Sequence, residues 1–138
     1  MDTDETRMGL SAEHLQKPIL HADVTDAIIG AAFDVHNELG YGFLERVYQK
    51  AMQVELTRRG FRAEVEHKIS VQYKGVVVGD YAADLFVNEC VLVELKVAPE
   101  YNKQDEAQLL NELKATKVKV GLLLNFGRSK VQFKRFAS

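Results

Sequence analysis

Cys90 is the chain's single cysteine in 138 residues. One thiol cannot form an internal disulfide and cannot build a cysteine-rich zinc site, so the plainest expectation is a cytoplasmic protein. No apolar run approaches the roughly 20 residues that a membrane span requires. The acidic start Met1-Asp2-Thr3-Asp4-Glu5 is unlike a signal peptide. Internal repeats and low-complexity tracts are lacking as well. An excess of positive charge is also missing: 18 Lys and Arg face 20 Asp and Glu, for a net charge of -2 and a pI near 6.1. That balance is not the global footprint of a nucleic-acid-binding protein.

What is present is ordinary for a soluble globular domain, with 46% hydrophobic and 28% charged residues. Residues 1–21 are polar and without periodicity, which predicts a mobile tail; residues 22–138 are expected to form one domain. The charge is unevenly placed. From Leu113 onward the chain carries Lys114, Lys117, Lys119, Arg128, Lys130, Lys134 and Arg135 and no acid. Such a segment offers phosphates a positive surface, or is simply a solvated lysine-rich face.

Asp23 is placed to cap a first helix, with Asp26 in the capping-box position. Ile28, Ile29, Ala32, Phe33 and Val35 supply its apolar stripe until Gly40-Tyr41-Gly42 stops it. A second helix is expected from about Phe43 to Arg59, with Leu44, Val47, Tyr48, Ala51 and Glu55 at helical spacing. Three β-rich stretches follow, about Ala63 to Tyr73, Val76 to Val87 and Cys90 to Val97, separated by turn signals at Lys74-Gly75 and Asn88-Glu89. Asn102 reads as the cap of a third helix, with Asp105 and Glu106 in its first turn and Leu109, Leu110 and Leu113 behind. Gly121 to Phe126 reads as a buried strand and Lys130 to Phe136 as an edge strand. Strands that meander and then return through a helix imply an α/β chain with a mixed sheet flanked by helices.

Within Val91-Leu92-Val93-Glu94-Leu95-Lys96-Val97, alternation puts Glu94 and Lys96 on one face and Val93, Leu95 and Val97 on the other. Charges on a buried strand are costly unless paired or serving a metal. Asp84, one strand upstream, supplies a second carboxylate. Two carboxylates suit Mg²⁺ or Mn²⁺, hard cations that bind oxygen and retain waters for a substrate to replace. A cation so held activates water and polarises a phosphoryl oxygen, while Lys96 orients the water or stabilises the transition state. The competing reading is a charged pair on a solvent-exposed sheet face. Glu45 and Gln108 raise the same choice: each is either a solvated helix residue or a group turned toward this face, where the Gln108 amide would bond a carboxylate, a lysine or a metal-bound water. His36 either approaches the site or packs the first helix, and packing is favoured because zinc would want more His or Cys nearby. Cys90 is read as a small hydrophobe.

Gly42-Phe43-Leu44-Glu45-Arg46-Val47-Tyr48 fits the signature G-x-x-E-x-x-Y, and the chain resembles the GxxExxY proteins, a branch of the PD-(D/E)XK nuclease-like superfamily. Ile28 to Gly40 is similar to the helix leading into that signature. The segments Tyr81 to Leu85 and Val91 to Lys96 resemble its two catalytic strands, and Glu106 to Asn111 and Gly121 to Gly127 its later helix and strand. Tyr41 departs from the pattern, standing where relatives often have proline between the two glycines. The resemblance implies a restriction-endonuclease-like αβββαβ core. It further implies Asp84, Glu94 and Lys96 as the catalytic set, Glu45 as a further acidic member and Gln108 as the supporting amide.

These readings converge on a Mg²⁺- or Mn²⁺-dependent nuclease acting on DNA or RNA, with Asp84, Glu94 and Glu45 as metal ligands. The alternatives are a nuclease-like fold that binds nucleic acid or a partner with little turnover, and a structural homodimer that uses the last strand as an open edge. Strand parity sharpens the test. A two-residue turn at Asn88-Glu89 would put Asp84 and Glu94 on opposite faces. A three-residue connection, or a bulge, puts them on the same one. The expectation is therefore the longer connection or a bulge.

Overall fold

A computed structural model describes residues 19–138, so the tail expected over residues 1–21 falls, up to residue 18, outside the described residues. The first element, α1, is the helix Ala22–Leu39. Its buried face is Val24, Ile28, Ala31, Ala32 and Val35, a spacing that winds one stripe along a helix. The expected capping box is not formed. Asp23 lies inside the first turn, the cap position belongs to His21 in a left-handed conformation, and no side chain caps the helix. Asp23 still complements the helix N-terminus by its charge. Phe33, expected in the buried stripe, is 40% exposed and meets Phe133 edge to face.

Helix α2 spans Glu45–Arg58 and buries Tyr48, Met52 and Leu56, one residue per turn. Leu44 and Val47 share its helical spacing yet are exposed, Leu44 at 78%. The stripe that meets the core is only one residue wide, and Leu44 precedes the helix as its cap residue.

Strands β1 (Ala63–Tyr73), β2 (Val76–Val87), β3 (Val91–Lys96), β4 (Val120–Asn125) and β5 (Gln132–Ala137) form one sheet in the order β1-β2-β3-β4-β5. Between β3 and β4 runs α3 (Lys103–Thr116), which makes that pair parallel; the other pairs are antiparallel. Asn102 caps α3 as expected, its side chain accepting the Gln104 N–H at 2.7 Å. Leu109 and Leu113 are buried, but Leu110 is 42% exposed, on the outer side of the helix. Among the described residues no helix is long and apolar enough to cross a membrane.

The sheet separates two apolar layers. On one face α1 and α2 pack against Leu85, Val87, Val93, Leu95, Leu122 and Leu124. On the other, α3 covers Phe86, Leu92 and Leu123 with Leu109 and Leu113. Sandwiched this way, β4 is buried at all six residues and β3 at five of its six, which explains their near-continuous apolar character.

Outer strands β1 and β2 do not keep to this alternation. Ala63 and Val65 belong to the α1–α2 face, whereas Ile69 belongs to the α3 face; Leu85 and Val87 likewise face α1–α2 while Ala83 faces α3. Regular alternation would keep residues two or four apart on one side. Both strands therefore turn over between these residues, and the pairing there lacks one rung, Glu66 with Asp84. Glu66 adopts a left-handed φ of 54°, which supplies the reversal.

Candidate functional site

Asp84 thus sits at an interruption of the sheet. The hairpin before it pairs Val87 with Val91, Phe86 with Leu92 and Leu85 with Val93, through the three-residue connection Asn88-Glu89-Cys90. Asn88 and Glu89 both take positive φ, and the Cys90 N–H closes the turn on the Val87 carbonyl at 3.0 Å. This is the parity that puts Asp84 and Glu94 on one face. Ladder pairing ends at Leu85, and the Asp84 carboxylate takes over by accepting the Leu95 N–H at 2.7 Å. The Asp84 carbonyl is satisfied from the opposite side by Gln49 of α2, whose Nε2 donates at 3.0 Å and also reaches Glu66 at 2.6 Å.

Glu94 is only 5% exposed, and its carboxyl is in hydrogen-bonding contact with both Asp84 and Glu112 of α3. Glu112 is 3% exposed and is held by Gln108 Nε2 at 3.1 Å. Glu94 Oε2 and Glu112 Oε1 are buried without a hydrogen-bond partner. A shared proton, a cation or a buried water satisfies such oxygens. Burial, then the contact with Glu112 and the charge of Asp84, pushes the Glu94 pKa far above the carboxylate range. Burial also raises Asp84, opposed by the Leu95 N–H.

Lys96 lies on the same face and ion-pairs with Asp105 in the first turn of α3 at 3.5 Å. Burial alone would lower its pKa, but Asp105, Glu45 and Glu94 outweigh this and hold it above its ordinary value. Lys96 is therefore an ammonium at neutral pH. Glu45, the first residue of α2, lies near Lys96 and the Val97 backbone just past the end of β3. Its stem is exposed, while shielding of its carboxylate raises the pKa against the pull of Lys96; Asp84 adds to the rise and the Val97 N–H opposes it.

Two devices hold these ends together. Tyr48, fully buried and stacked on Phe126 with centroids 4.6 Å apart, donates its hydroxyl to the Gly40 carbonyl at 2.6 Å and accepts the Phe43 N–H at 3.4 Å. This ties the Gly40-Tyr41-Gly42 turn, whose glycines sit at φ 72° and 114°, to the first turn of α2 and so places Glu45. The tyrosine of G-x-x-E-x-x-Y is thus a strut. On the other side, Asn125 at the end of β4 is fully buried and bonds the Ala98 N–H and carbonyl at 3.0 and 2.8 Å. Gly127 follows, and a Cβ there would lie 2.5 Å from the Ala98 nitrogen. Together they fix the backbone leaving Lys96.

The structure thus brings Asp84, Glu94, Lys96 and Glu45 into one electrostatic cluster. Gln108 reaches a carboxylate as expected, but that of Glu112. Glu112 and Gln49 escaped the sequence reading, and Asp105 was read only as a first-turn residue of the third helix; for Glu112 the available signal was its place four residues after Gln108, on the same helical face. His36 packs: it is 6% exposed, lies over Phe126 and donates Nε2–H to the Arg128 carbonyl at 2.7 Å. Cys90 is half-buried at the hairpin, against the core. Among the described residues no three His, Cys, Asp or Glu side chains surround a common ion position, so the three-carboxylate set of Asp84, Glu94 and Glu45 is not assembled as a cage.

The basic C-terminal segment is not one surface. Lys96 pairs with Asn125 and Val91 with Val120, so the loop carrying Arg128 and Lys130 lies at the Lys96 end of the sheet, and Lys117 and Lys119 lie at the opposite end. Lys134 is bound to Glu106 at 3.1 Å and Arg135 to the Leu20 carbonyl at 2.9 Å.

A family model described as PD-(D/E)XK nuclease superfamily matches residues 22–136. Among curated proteins none matches the chain. A solved structure described as "Crystal structure of SSO0001" is similar at 13% identity and a TM-score of 0.49, over 68% of this chain; the chain spans about half of its length, 50%.

Proposed function

Because the chain belongs to the PD-(D/E)XK nuclease superfamily, we propose that it is a Mg²⁺- or Mn²⁺-dependent phosphodiesterase of the GxxExxY branch, acting on DNA or RNA. One observation carries this reading: strand register puts Asp84 and the buried Glu94 on one sheet face, with Asp84 held by the Leu95 N–H and a Glu94 oxygen buried without a donor. A small divalent cation suits such a pair, since it needs only one or two carboxylates and completes its shell with waters and substrate oxygens.

Asp84 and Glu94 would hold the cation, with Glu45 as a further ligand or a holder of water from the exposed side. Once bound, the ion lowers the pKa of water and polarises the phosphoryl oxygen. The Leu95 N–H fixes one Asp84 oxygen and thereby orients the other. Lys96, held protonated by Asp105 and Glu45, stabilises negative charge developing on the phosphoryl group and does not serve as the base. Gln108 acts through Glu112, which it orients against Glu94.

Labelled single- and double-stranded DNA and RNA, incubated with Mg²⁺, Mn²⁺ or chelator, test this. Cleavage should need the metal and disappear in Asp84→Asn and Glu94→Gln. Mn²⁺ should raise the melting temperature of the wild type but not of these variants. Cleavage that persists in both variants would falsify the assignment. The second reading is a fold that binds nucleic acid with little turnover. Metal-independent binding without cleavage under every condition would select it.

A further inference from the structure

Beside the acidic cluster lies a cleft of about 930 Å³ between α3 and the outer arm of the β1–β2 hairpin. β3 pairs with β2 only at Leu85, Phe86 and Val87, so the arm from Val76 to Tyr81 pairs with β1 and not with β3. A helix facing a strand ordinarily seals the gap with large apolar residues, as Leu109 and Leu113 do over β3 and β4. Facing the hairpin, α3 presents Gln104, Gln108, Asn111 and Lys114 beside only small apolar residues, Ala107 and Ala115, and the hairpin answers with Gln72 and Tyr81 beside Ile69 and Val71. Tyr81 is half exposed, and its ring edge passes over Gly79, where a Cβ would lie 3.4 Å away.

The chemistry of these walls is selective. Side-chain amides both donate and accept, which matches the edges of unpaired bases. An exposed tyrosine ring offers a stacking platform, and Lys114 offers a phosphate contact. No exposed carboxylate lines the cleft, although the chain as a whole is acidic; its one acid, Glu112, is buried. The volume lies within the ~300–1,000 Å³ of pockets that enclose a drug-sized ligand, room for a few nucleotides of one strand. The cleft shares a wall with the site, because Gln108 and Glu112 line it and Glu112 neighbours Glu94 behind that wall.

We propose that this cleft binds a single-stranded nucleic-acid segment, with one base stacked on Tyr81 and the strand leading toward Asp84 and Glu94. The direction of the strand rests on the nuclease reading; the binding does not. Fluorescence anisotropy with short oligo(dU), oligo(U) and a matched duplex, all in chelator, tests the binding in the absence of cleavage. Single strands should bind more tightly than duplex. Tyr81→Ala and Asn111→Leu should each weaken single-strand binding about tenfold, within the range stacking contacts show, and Tyr81→Phe should restore it. Comparing oligo(dU) with oligo(U), which differ only in the 2′-hydroxyl, identifies the sugar preferred. Unchanged affinity in Tyr81→Ala, equal losses for duplex, or no binding by the wild type each overturn the proposal. The two readings fail separately. Metal-dependent cleavage with Tyr81-independent binding removes the cleft alone, and Tyr81-dependent binding without cleavage removes the nuclease alone.

Discussion

Burying Glu94 against two other carboxyls makes the metal-free protein weaker as pH rises. In the unfolded chain a glutamate titrates near ~4.3; in the fold the Glu94 pKa is lifted to about 11 by burial, Glu112 and Asp84. Between those values the native state keeps a proton that the unfolded state has released. Unfolding then releases one proton, and stability falls by about 1.4 kcal/mol for each pH unit. From about pH 5 to about pH 8 the loss is about 4 kcal/mol, a large share of the ~5–15 kcal/mol that holds a typical domain together. The raised pKa of Asp84 acts in the same direction. Urea unfolding in chelator at several pH values measures the slope. Glu94→Gln is nearly isosteric and neutral throughout, so it should remove most of the slope and exceed the wild type in stability at the alkaline end. Saturating Mn²⁺ should oppose the decline, because it binds the ionised carboxylates of the folded state. A wild-type stability that is flat or rising over this window, or an unchanged slope in Glu94→Gln, refutes the account of Glu94 as a desolvated, acid-flanked carboxyl.

Three further outcomes are expected. Lys96→Ala should lower turnover by roughly 10²-fold while leaving the Mn²⁺-induced rise in melting temperature in place; a lost thermal shift would make Lys96 a charge balance for metal binding. Tyr48→Phe leaves the half-buried Gly40 carbonyl without its donor and should cost about 1 kcal/mol in urea unfolding, with a further loss of activity as Glu45 loosens. Replacing Arg128 and Lys130 together by Gln should flatten the salt dependence of nucleic-acid binding, whereas the same change at Lys117 and Lys119 should not. Equal slopes for the two double variants would contradict the division of the basic residues between opposite sheet ends.

The element order could be read along the chain because its causes are local. Helical spacing in Ile28, Ala32 and Val35, the cap at Asn102, and the apolar runs of β3 and β4 all depend on neighbours within a few residues. Parity, too, stated the condition under which Asp84 and Glu94 could meet. Whether the condition is satisfied depends on the register of two strands, and the turn propensity of Asn88 fits either connection; Val87 opposite Val91 settles it. Exposure was misjudged at Leu44, Phe33 and Leu110, because helical spacing defines a stripe without saying how wide a neighbouring element will cover. Glu112 is the clearest case. On α3 it is one polar residue among several, and only the packing of Leu109 and Leu113 onto the sheet rotates it inward against Glu94. The same holds for Gln49, which finds the Asp84 carbonyl because Glu66 interrupts the ladder beside it. Local residue patterns therefore specified the elements and nominated the acids. Bringing carboxylates from β2, β3 and α3 together required strand register and helix rotation, and those come from contacts between residues far apart in the chain.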